Sequence, residues 1–145
     1  MSHHNIFQAN NITEIYLEMV DGDLDITGWR QDQIEIDNED DVPVFTTEGS
    51  RFKIMCIGDL TLQVPQSVAF NILNVQGDVE IKNVFSRITL GVIEGDAELN
   101  NIGALTASTI NGDLEANNIH GPTQVRQVEG DAELNNVHGP CEIGK

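Results

Sequence analysis

The sequence predicts an all-β protein, and within that class a right-handed, single-chain parallel β-solenoid of about seven coils with about 18 residues per coil. The first observation is a repeat, because the octapeptide Gly95–Ile102, GDAELNNI, returns as Gly130–Val137, GDAELNNV. The second is that apolar and polar residues alternate on both sides of each Gly-Asp pair, which indicates two or three short strands per repeat. A β-sandwich would not require similar residues at a fixed spacing, so the repeat favours stacked coils.

The Asp of the repeat marks its period along the chain. The members recur at nearly constant intervals, and they are Asp23, Asp41, Asp59, Asp78, Asp96, Asp113 and Asp131. In a parallel stack, equivalent residues of neighbouring coils lie one strand spacing apart. We therefore expect each position to stack on its equivalent one turn away in the sequence.

Composition fits a single repetitive domain. The 145 residues can bury a core, but aromatic residues make up only 5% of them, so burial must be spread over many small apolar side chains. The formal net charge is -17, from 24 acidic and 7 basic residues. This charge disfavours nucleic acid and anionic membrane surfaces as partners and favours cations or basic protein surfaces. Solubility through self-repulsion is the alternative explanation of the charge.

The chain divides into a short N-terminal extension and a repeat domain. Residues 1–13 precede the first repeat and are expected to form a cap or a frayed tail. They show neither the basic nor the apolar region of a signal peptide, and no apolar run is long enough to cross a membrane. As written, the chain is expected to remain cytoplasmic, whereas a signal removed from a longer precursor would leave the same sequence.

Residues 14–145 form the predicted β-solenoid, with degenerate coils over 14–57 and regular coils over 58–145. In the first repeat, Gly22 is expected to provide a positive φ and Asp23 to accept N–H groups just beyond it in the chain. In the degenerate part, Pro43 replaces an outward Glu and should weaken strand pairing. Bulges or slipped corners are expected near Asn38 and Gly49, and residues 46–51 are expected to protrude as a loop.

The regular coils allow inward and outward positions to be assigned by the period of two. The first inward columns are Leu60, Val79, Ala97, Leu114 and Ala132, and Leu62, Ile81, Leu99, Ala116 and Leu134. A second wall consists of Phe70/Ile72, Ile88/Leu90, Leu105/Ala107 and Thr123/Val125, and a third of Val75, Ile93, Ile110 and Val128. The outward column between the first two is Thr61, Glu80, Glu98, Glu115 and Glu133.

An asparagine column and two cysteines complete the pattern. Asn83, Asn101, Asn118 and Asn136 share a corner position, where Asn can adopt a left-handed conformation and bond to the same amide above and below. Cys56 and Cys141 lie several coils apart, too far for an intramolecular disulfide. Both fall on apolar repeat positions, so we expect buried thiols.

The unit Gly-Asp-[Leu/Val/Ala]-Glu-[Leu/Ile]-x-Asn-[Val/Ile] resembles the repeats of a bacterial family of unknown function called putative adhesins. The resemblance covers residues 58–145 closely and 14–57 loosely. It implies a β-solenoid at the cell envelope with no shared catalytic residues. More distantly, the chain is similar to bactofilins, which are cytoskeletal β-solenoids that polymerise end to end.

Two metal sites are candidates. The acidic columns Asp78, Glu80, Asp96, Glu98, Asp113, Glu115, Asp131 and Glu133 repeat at the strand spacing of about 4.8 Å, and pairs of carboxylates could share Ca²⁺. The alternative for the Asp members is a role in the turn. His120 and His138 occupy the same position in successive repeats and should share one edge, where they could bind Zn²⁺ or Ni²⁺. Two ligands make a weak site, and ordinary surface corners are the alternative.

We expect no enzymatic activity and no cofactor. Each acidic residue that could act in catalysis recurs at its repeat position, and no nucleophile, phosphate loop or set of four metal ligands can be assigned. Two functions remain. The first is a structural, adhesive or protein-interaction module at or near the cell surface. The second is an intracellular scaffold that self-associates through its terminal coils, with Pro140, Cys141 and Ile143 at the interface.

Overall fold

The structure, a computed structural model, describes residues 3–8, 12–38 and 44–143. In these ranges the chain forms strands and turns and no helix. The strands are β1 His3–Gln8, β2 Glu14–Asp21, β3 Leu24–Trp29, β4 Gln33–Asn38, β5 Val44–Glu48, β6 Arg51–Ile57, β7 Leu60–Pro65, β8 Ala69–Val75, β9 Val79–Lys82, β10 Arg87–Ile93, β11 Ala97–Ile102, β12 Ala104–Ile110, β13 Leu114–Ile119, β14 Thr123–Val128, β15 Ala132–Val137 and β16 Cys141–Ile143.

The strands form two eight-stranded sheets. Sheet 1 has the order β1-β4-β7-β3-β9-β11-β13-β15, and sheet 2 has the order β16-β14-β12-β10-β8-β2-β6-β5. A two-strand unit consists of one strand of sheet 2 followed in the chain by one strand of sheet 1. From β8 onward, each unit pairs in parallel with the next, and equivalent repeat positions lie opposite each other, as in Leu105 opposite Ile88 and Leu99 opposite Ile81. The predicted all-β fold with parallel pairing between repeats is therefore confirmed.

The core lies between the inward faces of the two sheets. The predicted inward columns are buried along most of their length, including Phe70, Ile88 and Leu105 in sheet 2 and Val79, Ala97 and Leu114 in sheet 1. Ala132 and Leu134 at the β15 edge are half-buried. Glu98, Glu115 and Glu133 point outward, as the period of two predicts.

The β2–β3 unit is out of sequence order. Strand β2 lies between β6 and β8, and β3 lies between β7 and β9, all in parallel. Ile15 is thus opposite both Phe52 and Phe70. The expectation that every repeat stacks on the next one in sequence is wrong here. The reason is that all three units present inward apolar residues at the same alternation, so a strand edge cannot distinguish the adjacent repeat in the chain from a more distant one.

The sheet ends opposite β15 and β16 are antiparallel. Strand β4 pairs with β7, β1 pairs with β4, and β5 pairs with β6. Residues 46–51 do not form the predicted loop, because Thr46 to Glu48 belong to β5 and Arg51 begins β6. Gly49, with φ of 62°, makes the turn between them. Asp41 and Pro43 lie outside the described residues.

Two further expectations for single positions are wrong. The expected bulge near Gly49 is not there, because β5 and β6 pair without a register shift on either side of the turn, and a shift lies instead between Leu17 and Met19, where β2 carries one more residue than β6. The residues that follow Asn38 lie outside the described ranges, so the expectation there stays a prediction. Cys141 is exposed and free rather than buried. It begins β16, which has only β14 as a neighbour among the described strands, so nothing covers that side chain. The side chain of Cys56 lies outside the described residues.

Candidate functional site

The Gly-Asp corners form a column of hydrogen bonds between units. Among the described residues of the column, every Asp except Asp131 accepts, through one carboxylate oxygen, the backbone N–H of the equivalent Asp in the neighbouring unit. The N–H of Asp23 donates to Asp59 (2.9 Å), that of Asp78 to Asp23 (2.8 Å), that of Asp96 to Asp78 (2.8 Å), that of Asp113 to Asp96 (2.8 Å) and that of Asp131 to Asp113 (2.7 Å). The predicted acceptor role is thus present, but between units and not within one turn. The order Asp59, Asp23, Asp78 repeats the strand order of both sheets.

The glycine of the pair is required by close approach. A Cβ atom on Gly95 would lie 2.2 Å from Oδ1 of Asp78, and one on Gly112 would lie 2.1 Å from Oδ1 of Asp96. Gly22 does not have the predicted positive φ; among the described glycines only Gly49 and Gly58 do. The Gly-Asp pair therefore joins stacked units, through the close approach of the glycine and the hydrogen bond of the Asp.

A second acidic column lies on the outer face of sheet 1. Glu80, Glu98, Glu115 and Glu133 are opposite one another in successive parallel strands. Asp25 continues the column, because β3 places it opposite Glu80 on one side and Thr61 on the other. Asp25 was missed as a site residue in the sequence, although its alternation, Leu24-Asp25-Ile26, matches that of the Glu-containing strands. We call Asp25 and these four glutamates the carboxylate column.

Charge is balanced at one end of the carboxylate column only. Lys82 Nζ lies 2.5 Å from Glu80 Oε1, and the hydrogen bond to Glu80 raises the pKa of Lys82. Burial raises the pKa of Asp25, and the charge of Glu80 adds to this effect, while Lys82 opposes it. Within the described ranges no Lys or Arg pairs with Glu98, Glu115 or Glu133. Like charges thus face solvent at one strand spacing.

Asparagine amides run beside the carboxylate column. The side chain of Asn117 donates to Asn100 (3.1 Å), and that of Asn135 donates to Asn117 (2.9 Å). The predicted corner column is also present: Asn83, Asn101, Asn118 and Asn136 all have φ between 57° and 59°. Asn101 donates to Asn83 (3.0 Å) and Asn136 to Asn118 (3.1 Å). These ladders link equivalent asparagines of neighbouring parallel strands.

The two histidines share one edge, as their spacing predicts. The rings of His120 and His138 stack with centroids 6.0 Å apart and planes at 4°. Phe85 contacts His120 edge to face, and Nε2 of His120 lies 2.8 Å from Oδ1 of Asn101. In the part of the chain that the structure describes, no three or more His, Cys, Asp or Glu side chains are grouped so as to hold a metal ion. Zn²⁺ and Ca²⁺ binding remain predictions.

The outer face of sheet 2 differs in chemistry from that of sheet 1. Arg51 and Lys53 lie over the ring of Tyr16, with 5.2 Å and 5.8 Å to the centroid. They also pair with Glu14 and Glu18, at 2.9 Å and 3.2 Å. Pro140 and Cys141 are exposed at the β16 edge and Ile143 is half-buried, so the predicted interface residues share one edge whose role is a prediction still.

No helix among the described residues has the length and apolarity to span a membrane. No family model matches the chain, and no curated protein matches its sequence. Among solved structures, a putative cell adhesion protein from Clostridium sporogenes ATCC 15579 aligns over 100% of this chain and 99% of its own, at 10% identity and a TM-score of 0.46. A putative adhesin from Parabacteroides merdae ATCC 43184 aligns over 99% of this chain and 96% of its own, at 9% identity and a TM-score of 0.32. At these values neither likeness assigns a function to this chain.

Proposed function

We propose that the chain is a non-enzymatic protein-interaction module of adhesin type, and that the outer face of sheet 1 is its binding surface. The observation that carries this proposal is the difference between the two acidic columns. The Gly-Asp carboxylates accept backbone N–H groups and so have a structural role. In the described ranges the glutamates of the carboxylate column accept no backbone N–H: Glu80 pairs with Lys82, and Glu98 and Glu115 accept only long hydrogen bonds (3.5 Å) from the amides of Asn100 and Asn117. Burial is the main cause of the raised pKa of Asp25, and the neighbouring charge of Glu80 adds to it.

The partner that fits this face is a basic protein surface. Glu98, Glu115 and Glu133 are presented on adjacent strands about 4.8 Å apart, and the amides of Asn100 and Asn117 donate long hydrogen bonds (3.5 Å) to Glu98 and Glu115. Cationic side chains brought against them would relieve the repulsion, and a field of one sign increases the rate of association with such a partner. An open sheet face of repeated carboxylates also lacks the enclosure that binding of a small substrate requires.

We also propose that the two-strand units, with their connecting corners, are the coils of a β-solenoid of about seven coils. The parallel, in-register pairing from β8 onward and the hydrogen-bonded Gly-Asp column support this description. In such a solenoid the binding face grows by one strand per coil, so the number of carboxylates, and with it the avidity for a basic surface, follows the number of repeats.

The proposal is tested with a decalysine peptide as the basic probe, titrated at low ionic strength by calorimetry. The variant Glu98→Gln/Glu115→Gln/Glu133→Gln removes three charges from the face. The control, Glu94→Gln/Glu129→Gln/Glu142→Gln, removes the same number of charges from exposed positions outside the carboxylate column. We expect the first variant to lose most of its affinity and the control to keep it. Equal weakening of both would mean that only net charge matters, and the proposal would be wrong.

A further inference from the structure

Strands β1 to β4, which we call the N-terminal segment, place one strand on each edge of β7. Strand β3 pairs in parallel with one edge of β7, and β4, the next strand in the chain, pairs antiparallel with its other edge. Trp29 at the end of β3 is opposite Pro65 at the end of β7. The indole N–H of Trp29 donates to the carbonyl oxygen of Gln33 (2.8 Å), which closes the connection around the end of β7.

The same segment separates two units that follow each other in the chain. The β2–β3 unit lies between the β6–β7 unit and the β8–β9 unit in both sheets. The β6–β7 and β8–β9 units nevertheless touch each other at the connections that follow β7 and β9. The N–H of Phe85 donates to the carbonyl oxygen of Gln66 (2.9 Å), and the hydroxyl of Ser86 donates to that of Val68. The β2–β3 unit thus lies in a gap between the β6–β7 and β8–β9 units, which we call the slot. The slot separates these two units in both sheets, whereas they are in direct contact at the connections that follow β7 and β9.

The β6–β7 and β8–β9 units are able to pair with each other when the β2–β3 unit is absent. The β6–β7 and β8–β9 units carry matching inward residues at equivalent repeat positions, which are Phe52 and Phe70, Ile54 and Ile72, Leu60 and Val79, and Leu62 and Ile81. The regular units pair through these same repeat positions. If β2 and β3 withdraw, β6 can pair with β8 through the same one-residue bulge that it makes with β2, and β7 can pair with β9, so no row of backbone groups need stay unpaired. Opening therefore costs less free energy than it would in an ordinary sheet.

We propose that the N-terminal segment is exchangeable, and that the partner it fits is a second copy of this chain. After Asn38 the segment is connected to β5 through residues 39–43, which lie outside the described ranges. Each of its strand pairings with β6, β7, β8 and β9 can be made equally with a second copy, which is the condition for exchange of identical elements between protomers. In the exchanged dimer, Asp25 of one copy completes the carboxylate column of the other.

The test uses two chains that carry one cysteine each, in a background of Cys56→Ala and Cys141→Ala. One chain carries Asp25→Cys and the other Glu80→Cys, at positions that face each other in adjacent strands. Neighbouring strands are about 4.8 Å apart, which is within the range for a disulfide. The chains are unfolded together, refolded at several protein concentrations and oxidised. We expect a disulfide-linked heterodimer whose yield rises with concentration.

The control is a mixture of Glu98→Cys and Glu115→Cys chains, whose register partners both lie outside the exchanged segment. It measures crosslinking by random collision, and the exchange mixture should exceed it severalfold. Equal yields from the two mixtures at every concentration would overturn the proposal. If either cysteine of the first mixture prevents refolding, as judged by circular dichroism, Thr27→Cys with Lys82→Cys provides a second register pair across the same strands.

Discussion

At the scale of single residues, the Gly-Asp pair joins one unit to the next by close approach and a charge-assisted hydrogen bond. Gly95 lies against the carboxylate of Asp78, and the same carboxylate accepts the N–H of Asp96. The sequence showed that these residues recur, and a local turn is the usual explanation of Gly-Asp. The partner N–H could not be inferred, because it depends on which units become neighbours in the stack.

This geometry predicts coupling between Gly95 and Asp78. Gly95→Ala should destabilise the fold, because a Cβ atom 2.2 Å from Asp78 Oδ1 displaces the carboxylate from its bond to Asp96. Asp78→Ala removes the same bond, at a cost of about 1 kcal/mol for an exposed charge-assisted bond. The double variant should therefore lose less stability in urea unfolding than the sum of the single variants. Asp78→Ala combined with the distant Gly130→Ala should be additive, and additivity in both pairs would contradict the account.

At the scale of strands, the regular part of the chain was predictable because parallel stacking makes equivalent residues neighbours. The inward columns, the outward glutamates and the left-handed asparagines follow from alternation and repeat spacing alone. The membership of Asp25 in the carboxylate column could not be obtained in this way. It depends on β3 lying beside β9, a strand from a distant repeat.

The carboxylate column predicts an unusual effect of pH. The folded state raises the pKa of Asp25 above its ordinary value of 3.8, so ionised Asp25 destabilises the fold at neutral pH. That cost is present in full above the raised pKa and disappears as pH falls through it towards 3.8. Asp25→Asn should therefore increase stability at pH 7, and the gain should vanish near pH 3. Urea unfolding at both pH values measures this.

The matched control for this prediction is Glu142→Gln, which removes one charge from β16, outside the column. Its effect reports the general benefit of reducing the net charge of -17. A gain for Asp25→Asn that is no larger than that of the control at pH 7, or one that persists at pH 3, would show that ionised Asp25 does not destabilise the fold.

At the scale of the whole molecule, the main feature is the order of the units. The N-terminal repeat could be placed by sequence only under the assumption that neighbours in the chain are neighbours in space. Its alternation, Ile15 and Leu17, fits beside Phe52 and Ile54 and beside Phe70 and Ile72 equally well. Nothing local selects among these positions, whereas the antiparallel pairing of β4 with β7 and β5 with β6 leaves the space between β6–β7 and β8–β9 for the β2–β3 unit.

The measurement that tests this arrangement most directly is intramolecular disulfide formation at low protein concentration, in the background without native cysteines. Asp25→Cys/Glu80→Cys places thiols on adjacent strands, about 4.8 Å apart, and a disulfide should form. Thr61→Cys/Glu80→Cys places them two strand spacings apart, beyond the limit of about 7 Å, because β3 lies between β7 and β9. Mass spectrometry of proteolytic fragments should therefore detect the first bridge and not the second. Detection of the second and not the first would mean that the repeats stack in the order of the sequence.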